Sequence, residues 1–164
     1  MATTAFKGTP VNTVGELPAV GSKAPAFELV GDGLSPLSSG DLEGRVIIST
    51  FPSLDTATCA ASVRRFNELA AGLENTTVVN VSMDLPFAQA RFCGAEGIDK
   101  VEVGSAFRSS FGKDFGVQVA DGPMTGLLAR SVTVVDADGT VKYTQLVPEL
   151  TNEPDYDAAI AALG

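Results

Sequence analysis

One arrangement in this chain has residue types and spacing suited to covalent chemistry: Pro52-Ser53-Leu54-Asp55-Thr56-Ala57-Thr58-Cys59. The β-branched run Val46-Ile47-Ile48-Ser49-Thr50 precedes it and reads as a buried strand. Beyond it, Ala60, Val63, Phe66, Ala70 and Leu73 recur at helical spacing. Cys59 therefore falls on the first turn of a helix, with Thr56 placed to cap its start. A thiol in that position faces unpaired backbone N–H groups and the positive end of the helix dipole, both of which favour thiolate over thiol. As a class, cysteines at helix starts titrate at roughly pH 3.5 to 7.5, against about 8.5 when free. A nucleophile made this way needs no histidine, and the chain contains none.

Attack by such a thiolate moves negative charge from sulfur onto the departing atom. Fixed donors must receive that charge, and backbone N–H groups at the helix start together with a guanidinium can do so. Arg130 is the best candidate. A lone arginine at a strand end is usually a surface group, but this one follows Gly126-Leu127-Leu128-Ala129 and opens a strand, an apolar setting that suggests its charge is directed at something. Its permanently charged, many-donor head can hold a thiolate and a developing alkoxide together. Arg64, Arg65, Arg91 and Arg108 rank lower, because each sits in an amphipathic stretch that gives it a solvated face. Cys93 has two readings. It is either packing between Phe92 and Gly94, or a second thiol that attacks Cys59 once oxidised to sulfenic acid, closing a disulfide before further oxidation.

The elements that must position these residues follow from periodicity and breakers. Residues 1–20 hold short β-like pieces about Lys7-Gly8-Thr9-Pro10, an N-terminal hairpin. Ala26 to Val30 is the first core strand, Gly31-Asp32-Gly33 turns the chain back, and Ser38 to Gly44 is a loop or a single helical turn. Thr76 to Ser82 contains the continuous run Val78-Val79-Asn80-Val81, typical of a strand covered on both faces. Pro86 suits the first turn of the next helix, with Asp84 as its cap and Phe87, Ala90 and Cys93/Gly94 on one face. The remaining elements are a strand over Val101 to Gly104, a short helix over Ser109 to Phe115, an exposed turn at Asp121-Gly122-Pro123-Met124, a hairpin of Ser131 to Val135 and Val141 to Leu146, and a helix from Pro154 to Leu163. Strand, helix, strand implies a parallel crossover. The whole describes an α/β, thioredoxin-like sandwich: a central mixed sheet flanked by helices, with an N-terminal β-hairpin. Phe27, Phe51, Phe87, Phe92, Phe107, Met124 and Leu127 are expected mostly in the core, some of them at a pocket mouth.

Composition narrows the rest. At 164 residues the chain suits one domain, residues 1–164, burying about two thirds of its unfolded surface. A net charge of −9 leaves no basic face to displace counterions, so nucleic acid is not expected as a partner. No stretch reaches the roughly 18 apolar residues of a membrane span, and no basic segment leads into an apolar one at the N-terminus. The expectation is a soluble, cytoplasmic protein. Two cysteines are too few for a disulfide scaffold or a thiolate metal site, so neither metal nor cofactor is expected. No Cys-x-x-Cys motif exists, which weakens a thiol–disulfide oxidoreductase reading; a redox sensor whose disulfide alters a partner surface remains one reading of the two thiols.

Pro52, Thr56 and Cys59 stand in the Pro-x-x-x-Thr-x-x-Cys pattern of the peroxiredoxins, and Phe51-Pro52-Ser53-Leu54-Asp55-Thr56-Ala57-Thr58-Cys59-Ala60 resembles their thiol peroxidase branch. The resemblance continues through Asp84-Leu85-Pro86-Phe87-Ala88-Gln89-Ala90-Arg91-Phe92-Cys93-Gly94-Ala95-Glu96-Gly97, then Ala120-Asp121-Gly122-Pro123 and Gly126-Leu127-Leu128-Ala129-Arg130, covering nearly the whole chain. It implies the same thioredoxin-like fold and a peroxidase without a cofactor, acting on hydrogen peroxide and on alkyl or lipid hydroperoxides. By the same resemblance Cys59 is the peroxidatic thiol and the Thr56 hydroxyl a hydrogen-bond partner of thiolate and peroxide. Pro52 shields the thiolate from water, Arg130 is the arginine that completes the site, and Cys93 resolves the sulfenic acid as an intrachain disulfide. Thioredoxin is then the implied reductant and a homodimer the implied assembly.

Overall fold

In the computed structural model, which describes all 164 residues, seven strands form one mixed sheet. They are β3 (Glu28–Val30), β4 (Pro36–Ser38), β5 (Arg45–Thr50), β6 (Thr76–Ser82), β7 (Glu102–Ser105), β8 (Ser131–Val135) and β9 (Val141–Leu146). Their spatial order is β4-β3-β7-β6-β5-β8-β9, with β5, β6 and β7 parallel and every other pairing antiparallel. A separate antiparallel hairpin, β1 (Thr3–Phe6) with β2 (Thr9–Asn12), turns at Lys7-Gly8, whose φ values of 50° and 82° suit the tight two-residue connection. Four helices complete the fold: α1 (Ala57–Ala70), α2 (Pro86–Glu96), α3 (Phe111–Asp114) and α4 (Tyr156–Ala161). This is the thioredoxin-like α/β sandwich that the sequence pattern describes.

The alternation of side chains along the central strands sorts the core into two layers. Val46, Ile48, Val79 and Val81 point to one face, where they pack with Phe27, Leu29, Phe111, Phe115 and Leu128. Ile47, Val78, Val132 and Val134 point to the other, against Phe66 of α1 and Ala159 of α4. Covering both faces of β5 and β6 leaves these strands almost without exposed side chains, so the Cys59 loop at the end of β5 rests on a rigid base.

Four local expectations need correction. Pro36 to Ser38 is a strand, β4, at the sheet edge, where a proline costs no ladder hydrogen bond and so hides the pairing from the sequence pattern. Asp84 does not cap α2: Leu85 occupies the cap position without a side-chain bond, and the Asp84 carboxylate turns to the loop after β5. The face of α2 carrying Phe87, Ala90 and Gly94 is exposed, Phe87 being 68% accessible; the polar Gln89 is the residue buried instead, because its amide reaches Ser82 and Gly104. Phe107, expected in the core, is 39% accessible. The other element ends differ by one to two residues, ordinary fraying of short elements, as where α4 starts at Tyr156 under an Asp155 cap.

Candidate active site

β5 delivers the chain into Phe51-Pro52-Ser53-Leu54 and α1 begins at Ala57, so Cys59 is on the first turn. Thr56 is the helix cap: its Oγ1 accepts the Cys59 N–H at 3.3 Å. The Thr56 hydroxyl in turn donates to the Ser53 carbonyl at 3.1 Å, which commits its one proton to the loop backbone and away from the sulfur. Cys59 is fully buried, packed in a cluster with Phe51, Leu54 and Val63, against which Phe92 of α2 leans.

Arg130, immediately before β8, reaches this sulfur from the strand next to β5. Its Nη2 donates to Cys59 Sγ at 3.0 Å and its Nε to the Leu150 carbonyl at 3.0 Å. The guanidinium is 2% accessible, yet no carboxylate lies within ion-pair distance of it. A buried cation without a counter-charge is costly, and the sulfur is the atom placed to compensate it. Its Nη1 is buried with no hydrogen-bond partner, which leaves one strong donor uncommitted beside the sulfur. The four arginines ranked below it behave as solvated groups: Arg64 pairs Glu96 at 3.2 Å, Arg65 pairs Glu68 at 3.3 Å, Arg91 lies 3.9 Å from Asp55, and Arg108 sits over the Phe107 ring.

A cleft of about 230 Å³ opens over this constellation, lined by Pro52, Thr56, Arg130, Met124, Phe6 and Leu150 among others. Cys59 does not itself line it; Thr56 and Arg130, which both bond to Cys59, do. A molecule entering the cleft therefore meets the cap hydroxyl and the guanidinium before the sulfur. Met124 is the one of the expected pocket-mouth residues found there. The cleft wall is held by Glu149, which sequence reasoning gave no part. Its carboxylate accepts the N–H groups of Gly8 (2.8 Å), Lys7 (3.1 Å) and Thr151 (3.0 Å) and the Thr151 hydroxyl. Those donors, led by Gly8 and Thr151, bring its pKa down to about 2. No sequence signal could reveal this, since the donors at Lys7 and Gly8 lie at the opposite end of the chain.

Cys93 lies apart from this site. It is a half-buried free thiol lining a different cleft of about 350 Å³ with Asp32, Pro86 and Gln89, and no disulfide joins it to Cys59. Burial, with the Asp32 carboxylate second, pushes its thiol pKa up. Thus the fold brings Cys59, Thr56, Pro52 and Arg130 together and leaves Cys93 on the neighbouring helix, one turn from the Gly97 cap whose N–H closes on the Cys93 carbonyl.

Relatives agree with this reading of the fold. The redoxin family profile matches residues 19–160. A thiol peroxidase of Mycobacterium tuberculosis is 59% identical over 165 residues, spanning 100% of this chain and 99% of the relative. This chain belongs to the thiol peroxidases of the redoxin family. A thiol peroxidase of Corynebacterium glutamicum is 57% identical over 164 residues, with 99% of each chain covered. Among solved structures, a peroxiredoxin-like protein from Aquifex aeolicus superposes with a TM-score of 0.94 at 42% identity, covering 99% of this chain and 96% of its own. The protein is accordingly a thiol-dependent peroxidase of peroxiredoxin type, and no helix in it is long and apolar enough to cross a membrane.

Proposed function

We propose that this thiol peroxidase reduces hydrogen peroxide and alkyl or lipid hydroperoxides at Cys59, forms an intrachain disulfide with Cys93, and is recycled by thioredoxin. The observation that carries the reading is the Arg130 head: buried, without a carboxylate, at the lining of the cleft, with one nitrogen 3.0 Å from Cys59 Sγ and another without a hydrogen-bond partner. In the first step the Cys59 thiolate attacks the terminal peroxide oxygen. An S–O bond forms, the O–O bond breaks, and the departing alkoxide takes a proton to leave as alcohol or water. The Arg130 guanidinium, which lines the cleft, receives charge on that oxygen as it develops, which lowers the barrier more than it stabilises the bound peroxide. Pro52 closes one side of the cleft without contributing a backbone donor, and Thr56 keeps the helix start aimed at the sulfur.

In the second step the Cys93 thiolate attacks the Cys59 sulfenic sulfur, an S–S bond forms and the hydroxyl leaves as water. Because Phe92 leans on the Cys59 cluster while Cys93 lines another cleft, this step requires α2 to move. A dithiol such as that of thioredoxin then supplies two electrons. An apolar cleft rim of Phe6, Met124 and Leu150 favours hydroperoxides with a hydrocarbon body.

The decisive measurement is peroxide consumption with thioredoxin, thioredoxin reductase and NADPH. The reading expects many turnovers, none in Cys59→Ser, and a single oxidation without recycling in Cys93→Ser. A single stoichiometric oxidation of the parent protein would instead support a sensor. A normal thioredoxin-linked rate in Cys93→Ser would remove Cys93 from the cycle.

A further inference from the structure

Asp84 lies outside the cleft, between the end of β6 and the start of α2, and its carboxylate does not touch Cys59. Three donors nevertheless converge on it. Ser53 Oγ donates to one carboxylate oxygen at 2.7 Å; Leu54 N–H at 2.8 Å and Ser82 Oγ at 2.7 Å donate to the other. Two of these donors belong to the loop that carries Pro52 and leads to the Cys59 turn. The same loop continues the chain of bonds inward: the Ser53 carbonyl accepts the Thr56 N–H and hydroxyl, each at 3.1 Å, and Thr56 Oγ1 accepts the Cys59 N–H. Outward, Gln89 on the buried face of α2 donates to Ser82 Oγ at 3.2 Å, and the Asp84 carbonyl accepts the Ser105 hydroxyl at 2.5 Å. An unbroken run of hydrogen bonds thus joins the helix bearing Cys93 to the turn bearing Cys59, and the Asp84 carboxylate is its hub.

We propose that Asp84 is a positioning residue that couples the two thiol-bearing helices. While its three bonds stand, Ser53 and Leu54 are fixed and the Cys59 turn is held against Arg130, in the geometry that reacts with peroxide. The same bonds tie the start of α2 to that loop, and they must break before either helix moves far enough to bring Cys93 to the oxidised Cys59. Asp84 therefore speeds the peroxide step and slows resolution. Only the second half of this inference rests on the resolving role given to Cys93 above. A carboxylate suits the hub because every group facing it is a donor; an amide of the same shape presents an NH2 to one of them and loses a charge-assisted bond.

The test is Asp84→Asn, with Ser53→Ala as a milder variant that keeps the charge and removes one donor. In a Cys93→Ser background, quenched-flow oxidation with trapping of the sulfenic acid gives the peroxide rate at Cys59 alone. That rate should fall roughly tenfold to a hundredfold in Asp84→Asn, as for a misplaced reacting group, and by less in Ser53→Ala. With Cys93 present, conversion of sulfenic acid to the Cys59–Cys93 disulfide should become several-fold faster, and the yield of sulfinic acid at high peroxide should drop. A merely weakened fold does not move two steps in opposite directions. An unchanged peroxide rate in both variants overturns the inference, and slowing of both steps together overturns the coupling. Should Asp84→Asn not fold, the two rates in Ser53→Ala decide alone. If the parent protein itself forms no Cys59–Cys93 disulfide, the resolving role of Cys93 fails, and the first rate still decides whether Asp84 holds the loop.

Discussion

Arg130 concentrates the physics of the site in one side chain. Its three nitrogens differ: Nε donates to the Leu150 carbonyl, Nη2 to Cys59 Sγ, and Nη1 is buried without a hydrogen-bond partner. A lysine keeps the charge but has a single nitrogen on a flexible stem, so it cannot hold the carbonyl and the sulfur in one plane while leaving a donor free. Arg130→Lys should therefore fold normally and lower the second-order rate of Cys59 oxidation by roughly a hundredfold, the scale of losing one preorganised donor. Stopped-flow oxidation with a matched thermal melt measures both; an unchanged rate would shift the role to another cation. This residue was legible only in part from the sequence. Its apolar neighbours set it apart from Arg64, Arg65, Arg91 and Arg108, but its pairing with a sulfur far away in the chain came from the family resemblance. Pro52, Thr56 and Cys59 were legible directly, because one loop and one helix turn hold them in sequence order.

The elements carry the features that no local pattern could reveal. Glu149 pins the β1–β2 turn to the segment that supplies the Leu150 carbonyl, and its carboxyl, near 2 in the fold, titrates at about 4.3 in an unfolded chain. A depressed carboxyl contributes stability that is complete above the unfolded value and is lost as pH falls through the folded one. Glu149→Gln should thus melt below the parent protein at pH 6 to 7, and the gap should close between about pH 4 and pH 2 as the carboxylate is protonated. Melting curves across that range check it, and a gap independent of pH would mean that the charge is not what holds the hairpin. The end of α2 poses the opposite case. Gly97 caps it with φ at 66° and has open space around its α-carbon, so Gly97→Ala adds only conformational strain, about 1 kcal/mol. Because burial keeps the Cys93 thiol protonated to higher pH than usual, alkylation near pH 8 reports opening of this helix. Labelling of Cys93 should rise about fivefold in Gly97→Ala, the factor that 1 kcal/mol supplies when opening precedes reaction. Equal labelling in both proteins would mean that Cys93 is reached without loosening the helix end.

At the scale of the whole molecule, the sheet and its order of elements were readable because β5, β6 and β8 are long β-branched runs buried on both faces, which little besides a covered sheet accommodates. The faces of α2 were not readable. Its apolar residues are spread around the helix, and tertiary hydrogen bonds bury Gln89 while leaving Phe87 outside. That reversal leaves an exposed patch with a consequence for assembly. Leu85, Phe87 and Phe107 are 51%, 68% and 39% accessible, and the Ser105 bond to the Asp84 carbonyl holds their two loops side by side. Large apolar groups left exposed on neighbouring loops mark an interaction surface, and a second copy of the chain presents the same groups in return. Burying one such ring gives about 1.5 to 3 kcal/mol, whereas association costs roughly 4 kcal/mol or more, so several of these side chains must be covered from both copies at once. A twofold arrangement does this by placing each patch against its own counterpart. Sedimentation velocity at micromolar concentration should accordingly find a homodimer, and Phe87→Glu, which sets two like charges near the axis, should give monomers with the melting temperature of the isolated fold. A parent protein that sediments as a monomer, or a Phe87→Glu variant that stays dimeric, would place the patch outside any self-association surface.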